Sequence, residues 1–244
     1  MHPRRWLYAR TRRRIGARFL SGEGIEIGAL HLPFPVPPQA RVRYLDRFTT
    51  PQLREEYPEL ADEPFAEVDI VDDGETLRSI PDGSQDFVIA SHVLEHTQDP
   101  ISALRRHLEV LRPGGVVLLA LADRRKGIGE LREPTTLEHL LTDQADGGAG
   151  SRAQHYRDWS RLVDLPLGHV APEDVEAHAA QLERSQHSIH FHCWTMPELL
   201  AQLPSFRLPG TLAAARQNLH EFLLVLRRTH AETGPDALGR LRRH

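Results

Sequence analysis

Cysteine is almost missing from this chain: Cys193 stands alone in 244 residues, which excludes a disulfide framework and any cysteine-rich zinc site. Lysine is almost missing too, since Lys126 is the only one among 30 basic residues. No apolar run approaches the roughly 18 residues of a membrane span, and the arginine-rich start lacks the uninterrupted apolar core and small-residue cleavage site of a signal peptide. A strong field of one sign is also lacking. The net charge is −4, so the global balance does not mark a nucleic-acid binder. These absences lead to the expectation of a soluble, cytoplasmic protein.

What is present is ordinary globular material. Hydrophobic residues make up 40% and charged residues 26%, enough to bury a core and too balanced for a disordered or coiled-coil chain. With roughly 100–200 residues per domain, the length fits one domain carrying a large insertion. Charge is nevertheless segregated. Arg4, Arg5, Arg10, Arg12, Arg13, Arg14 and Arg18 crowd residues 1–20 without an acid, whereas residues 55–86 are rich in Asp and Glu. Residues 1–22 read as a basic N-terminal helix, with Trp6, Leu7, Ile15, Phe19 and Leu20 against the body. An anionic partner bound by the arginines is the other reading.

Short apolar runs alternate with helical patterns. Gly24–Ala29, Arg41–Asp46, Ala66–Ile70, Asp86–Ser91 and Val116–Leu121 read as five strands. A helix over residues 50–60 and one capped by Asp99 and opened by Pro100 lie among them. Pro33-Phe34-Pro35-Val36-Pro37-Pro38 cannot be regular helix, and Arg112-Pro113-Gly114-Gly115 stops the helix before strand five. This order predicts a parallel α/β sheet. A polar, histidine-rich insertion follows, approximately residues 123–204, with capping boxes at Thr135/Glu138 and Thr195/Glu198. Phe206–Leu212 and Glu221–Leu226 then return to strand character.

The motifs Ile25-Glu26-Ile27-Gly28, Asp46, Asp69, Pro81-Asp82-Gly83-Ser84-Gln85-Asp86-Phe87, Val93-Leu94-Glu95-His96 and Leu111-Arg112-Pro113-Gly114-Gly115, in this order, resemble class I S-adenosylmethionine-dependent methyltransferases of the small-molecule type. The resemblance covers roughly residues 23–122 and 205–228. It implies a Rossmann-like, seven-stranded, mostly parallel sheet with helices on both faces, filling residues 23–244, and a lid inserted between strands five and six. It also implies S-adenosylmethionine as cofactor. Glu26 and the backbone of Gly28 and Ala29 would face its amino-acid end, with Asp69 and Ile70 at the adenine and Ser91 and His92 over the methionine portion. Asp46, 20 residues beyond Glu26, stands where an acid ending strand two accepts both ribose hydroxyls. Leu30 and Leu32 replace the usual later glycines. That removes the cradle a dinucleotide phosphate needs, but S-adenosylmethionine has no phosphate.

Methyl transfer needs alignment and exclusion of water, plus a base when the acceptor is acidic. His96, His190 and His192 are the candidate catalytic residues. His92 and His96 would share a helix face, and His190 and His192 a strand face. With Glu95 or Asp123 these imidazoles also offer ligand chemistry for zinc or iron, but no metal is assigned. The expected activity is methyl transfer to a small molecule such as a natural-product intermediate, a sugar or a polar lipid precursor. A non-methylating reaction on the same cofactor, or a non-catalytic scaffold binding an anionic partner through the N-terminus, are the alternatives. No nucleic-acid partner is expected.

Overall fold

The computed structural model describes residues 3–60, 62–126 and 131–229. Seven strands form one sheet in the order β3-β2-β1-β4-β5-β7-β6. β1 (Gly22–Ile27), β2 (Ala40–Asp46), β3 (Ile70–Val71), β4 (Gln85–Ser91) and β5 (Leu111–Ala122) run parallel. β6 (Gly210–Asn218) and β7 (Glu221–Arg228) form a hairpin whose second strand lies antiparallel against β5. This is the mostly parallel sheet expected from the alternation of strands and helices.

Each sheet face buries its own core. On one side α3 (Pro100–Glu109) lays Ile101, Leu104 and Leu108 against Val88, Val117 and Leu119. Its start is set by the Asp99 carboxylate, which accepts the Ser102 N–H at 2.9 Å, and by Pro100, whose missing donor costs nothing there. On the other side α1 (Pro3–Phe19) packs Ile15 and Phe19, with Leu20 just beyond it, over Phe87, Ile89, Leu118 and Val225. The side chains of Trp6 and Leu7 lie outside the described residues. Strand β1 passes so close to β4 that Gly24 is obligatory: a Cβ there would stand 2.3 Å from the Phe87 carbonyl oxygen.

Four elements differ from the sequence expectation. The segment from Ala66 is strand only at Ile70–Val71, because its earlier donors are used elsewhere: Ala66 N–H on Leu30 O and Val68 N–H on Thr50 Oγ1. The Pro113-Gly114-Gly115 turn lies inside β5 as a register break between Gln85↔Leu111 and Phe87↔Val116, with Gly114 at φ +85°. Phe206 closes a 3-10 turn and Pro209 lacks a ladder donor, so β6 starts only at Gly210. The helix expected over residues 50–60 divides into α2 (Thr50–Glu56) and a 3-10 turn at Pro58–Leu60.

Between β5 and β6 the chain is helical. α4 (Leu137–Asp146) and α5 (Arg152–Trp159) come first. A π turn (Ser160–Asp164), α6 (Leu165–Leu167), α7 (Val175–Arg184) and α8 (Met196–Gln202) follow. The Thr195/Glu198 box forms, with Thr195 N–H on Glu198 Oε2 at 2.7 Å. The other cap moves by one residue. Thr136 caps α4, while Thr135 Oγ1 accepts the Cys193 N–H. Tyr156, Ala179, Leu182, Ile189 and Phe191 make a separate small core. Among the described residues no helix is long and apolar enough to cross a membrane.

Candidate active site

The strand order reverses at β1, which has β2 on one side and β4 on the other. The crevice beyond the carboxyl ends of these strands is where such sheets bind ligands. At the end of β1, Gly28 takes φ +65°, and a Cβ there would meet Val93 Cγ2 at 3.4 Å. Its backbone is therefore open to a close approach that a side chain would obstruct. Asp46 ends β2, half-buried, with Oδ1 accepting the Arg47 N–H at 2.7 Å. Burial pushes its carboxyl above the ordinary range. Ala29 is buried, and His31 Nδ1, close behind Gly28, is buried with no partner among the described residues. An acid ending β2 and a glycine with an open backbone ending the neighbouring β1 are thus both present at the carboxyl end of the sheet.

Other expected contacts are engaged elsewhere. Glu26 is fully buried, and both carboxylate oxygens accept the Phe34 N–H, at 2.8 and 3.1 Å. It holds the proline loop down through that backbone group. Burial raises its pKa to about 7, against the opposing pull of the Phe34 N–H and Arg12. Asp69 stands ahead of the strand end with its carboxylate on the Tyr44 N–H at 2.8 Å, and Ile70 packs onto the core. Asp72 and Asp73 occupy the exit from β3, where they bind Ser79, Glu75 and Thr76 N–H groups and shape the loop.

The end of β4 carries a charge network that includes two residues absent from the sequence expectation. Ser91 Oγ accepts from Arg12 Nη2 at 3.1 Å, and the same guanidinium pairs with Glu221 at 2.6 Å. His92, held at φ +54°, places Nε2 at 3.1 Å from Glu221 Oε2 and Nδ1 at 3.2 Å from Glu95 Oε1. Although burial disfavours its cation, the bonds to Glu221 and Glu95 raise its pKa to about 9. Glu95 and Glu221 both fall to about 2, burial being outweighed by His92 and, for Glu221, by Arg12 as well. His92 is thus a clamped cation between two carboxylates. The one sequence signal for Glu221 is an acid opening the apolar run Phe222–Leu226. Arg12 is hidden among seven arginines.

His92 and His96 do not share a helix face, because only Leu94–His96 is helical, as a 3-10 turn. His190 and His192 do not share a strand either; no strand forms there, and the two diverge. His190 meets His96 edge to face at 4.6 Å, with Trp159 beside it at 5.6 Å, and Ser188 Oγ lies 3.0 Å from His96 Nδ1. Burial lowers the pKa of His96 and takes His190 to about 4, so both are neutral at pH 7. Arg47, next to Asp46, also acts electrostatically on His96, disfavouring its cation. His192 joins His139, Asp143 and His155 instead.

Residues 38–119 match the family model of a methyltransferase domain. No curated protein matches the sequence. Among solved structures, the chain is similar to one in a complex of the Haloferax volcanii Trm112 methyltransferase activator. The identity is 12% and the TM-score 0.51, covering 93% of this chain and 91% of that one. It is also similar to a Thermotoga maritima S-adenosylmethionine-dependent methyltransferase (13%, TM-score 0.47, 92% and 94% covered). A third is the CurJ carbon methyltransferase (14%, TM-score 0.44), of which this chain spans 49% while 86% of this chain is covered.

Proposed function

We propose that this chain is a class I S-adenosylmethionine-dependent methyltransferase, as the methyltransferase-domain match over residues 38–119 and the strand order support, and that it methylates a small polar molecule admitted between the β4 end and the helical insertion. The observation that carries this reading is the His96–His190 pair. One imidazole comes from the turn after β4 and the other from the insertion, and burial keeps both neutral. S-adenosylmethionine, when bound, supplies an electrophilic methyl group. Asp46 accepts the ribose hydroxyls, and the Gly28–Ala29 backbone faces the amino-acid end. His96, oriented through Nδ1 by Ser188, takes the acceptor's proton, while His190 and Trp159 form the acceptor wall and keep water out. The insertion acts as the lid and writes the specificity.

The test is incubation with methyl-labelled S-adenosylmethionine and a panel of sugars, amines and phenols, read by product mass. Label transfer to a panel member supports the reading. Binding of the cofactor with no transfer to any class, over a pH range of 6–9, contradicts it.

A specific observation favours a second reading, an anionic partner on the N-terminal helix. A cleft of about 440 Å³ is lined by Thr11, Arg14, Ile15, Arg18 and Arg216. Binding to an anionic ligand that weakens with salt and with Arg14→Ala would support it.

A further inference from the structure

Four side chains of the helical insertion converge on one point. His139 and Asp143 are one turn apart on α4, His155 comes from α5, and His192 from the segment leading to α8. His139 Nε2 lies 3.0 Å from His155 Nε2 and 3.1 Å from Asp143 Oδ2. His192 Nε2 is 3.6 Å and His155 Nε2 is 4.0 Å from the same oxygen, and all four ligand atoms fall within 4.8 Å of one another. A tetrahedral ion with bonds of about 2.0–2.1 Å sets its ligands about 3.3 Å apart. The observed edges straddle that value.

Hydrogen bonding does not account for the arrangement. Asp143 Oδ2 is buried and has no hydrogen-bond partner among the described residues, even with three imidazole nitrogens at 4.0 Å or closer. Its other oxygen is committed, accepting from Ser151 Oγ at 2.6 Å. A buried carboxylate oxygen without a donor is costly, and two facing Nε2 atoms can share only one proton. His192 Nε2 has, besides, only a long contact of 3.4 Å to Gln98 O. The shell around the cluster is built. Trp194 stacks on His192 at 5.7 Å, Phe191 meets His155 edge-on, and the neighbouring Arg132 spends its guanidinium on the His190 and Phe191 carbonyls.

We propose that His139, Asp143, His155 and His192 form a zinc site. Three imidazoles and one carboxylate suit that ion, and four protein ligands close its coordination, which makes the site structural rather than catalytic. The ion ties α4 and α5 to the segment that carries His190. It also secures the β4 turn, because the His192 N–H donates to Glu95 O, adjacent to His96. The proposal stands independently of the methyl-transfer reading.

The experiment uses the full chain purified without chelator, analysed for metal by mass spectrometry, then stripped and refilled with Zn²⁺ or Co²⁺. One zinc per chain is expected, with a higher melting temperature on refilling and the intense visible bands of tetrahedral Co²⁺. His139 is partly exposed, so His139→Ala should fold and lose at least about 100-fold in Zn²⁺ affinity. His178→Ala, which removes a bond to Asp164 elsewhere in the insertion, should bind Zn²⁺ as the parent does. Absence of bound metal together with no tetrahedral Co²⁺ spectrum in the unaltered chain overturns the proposal. Unchanged Zn²⁺ affinity in a folded His139→Ala overturns it too. If that variant fails to fold, the Co²⁺ spectrum of the unaltered chain decides.

Discussion

Arg12 and Glu221 are 209 positions apart, and their side chains meet at 2.6 Å in the interior, 7% and 0% exposed. The first helix is thereby locked to the start of the last strand, directly over the end of β4. Tyr8 and Asn218 add hydrogen bonds to the same carboxylate. Removing one partner of a buried pair leaves the other charge uncompensated, at a cost of about 3–5 kcal/mol. Arg12→Met should lose that much in urea unfolding, and Arg12→Met with Glu221→Gln should recover a large part of it. Additive losses in the double variant would show that the pair is not coupled.

His92 adds a pH dependence of definite sign. Its folded pKa of about 9 exceeds the unfolded value of 6.5. The stability it contributes is therefore complete below pH 6.5 and lost as pH rises toward 9. Glu95 and Glu221, at about 2 against 4.5, contribute above pH 4.5 and fail as pH falls toward 2. Melting temperature should peak between pH 4.5 and 6.5, and His92→Gln should flatten the alkaline side. An alkaline slope unchanged in His92→Gln would place its cause elsewhere.

Glu26 works in the same direction as His92 and opposite to Glu95 and Glu221. Its pKa of about 7, against 4.5 unfolded, means that the fold disfavours its charge, so stability declines between pH 4.5 and 7 as the group ionises. Glu26→Gln keeps an acceptor for the Phe34 N–H without the charge, and should stabilise the protein at pH 8 by about 2 kcal/mol. Chemical denaturation at pH 5 and pH 8 measures this. Destabilisation at pH 8 would mean that the carboxylate's attraction to Arg12 outweighs its burial.

His96→Gln should leave cofactor affinity unchanged and reduce turnover about 10²-fold. It should also abolish any acid limb of the pH–rate profile. A parallel loss in KM alone would reassign His96 to acceptor binding.

Much of the fold is legible in the sequence because strand alternation, the Asp99-Pro100 cap and the strand-end motifs are local signals. Four of the five parallel strands fall where the apolar runs put them. The Ala66–Ile70 strand shortens because its donors bond Leu30 and Thr50, partners that no local pattern reveals. Asp46 ends β2 with its carboxylate on the Arg47 N–H, and Glu26 and Asp69 satisfy the backbone groups of Phe34 and Tyr44. Spacing alone cannot separate those outcomes. His190 and His192 looked like a pair because two-residue spacing aligns side chains only in a strand. In the irregular segment that forms, one turns to His96 and the other to His139 and His155.

Calorimetric titration with S-adenosylmethionine, on the parent chain and on Asp46→Ala, tests the central claim most directly. The account predicts micromolar binding to the parent and a loss of about 1–3 kcal/mol in the variant, the cost of leaving polar partners unmet. No binding to the parent at millimolar cofactor would contradict it, as would an equal affinity in the two proteins.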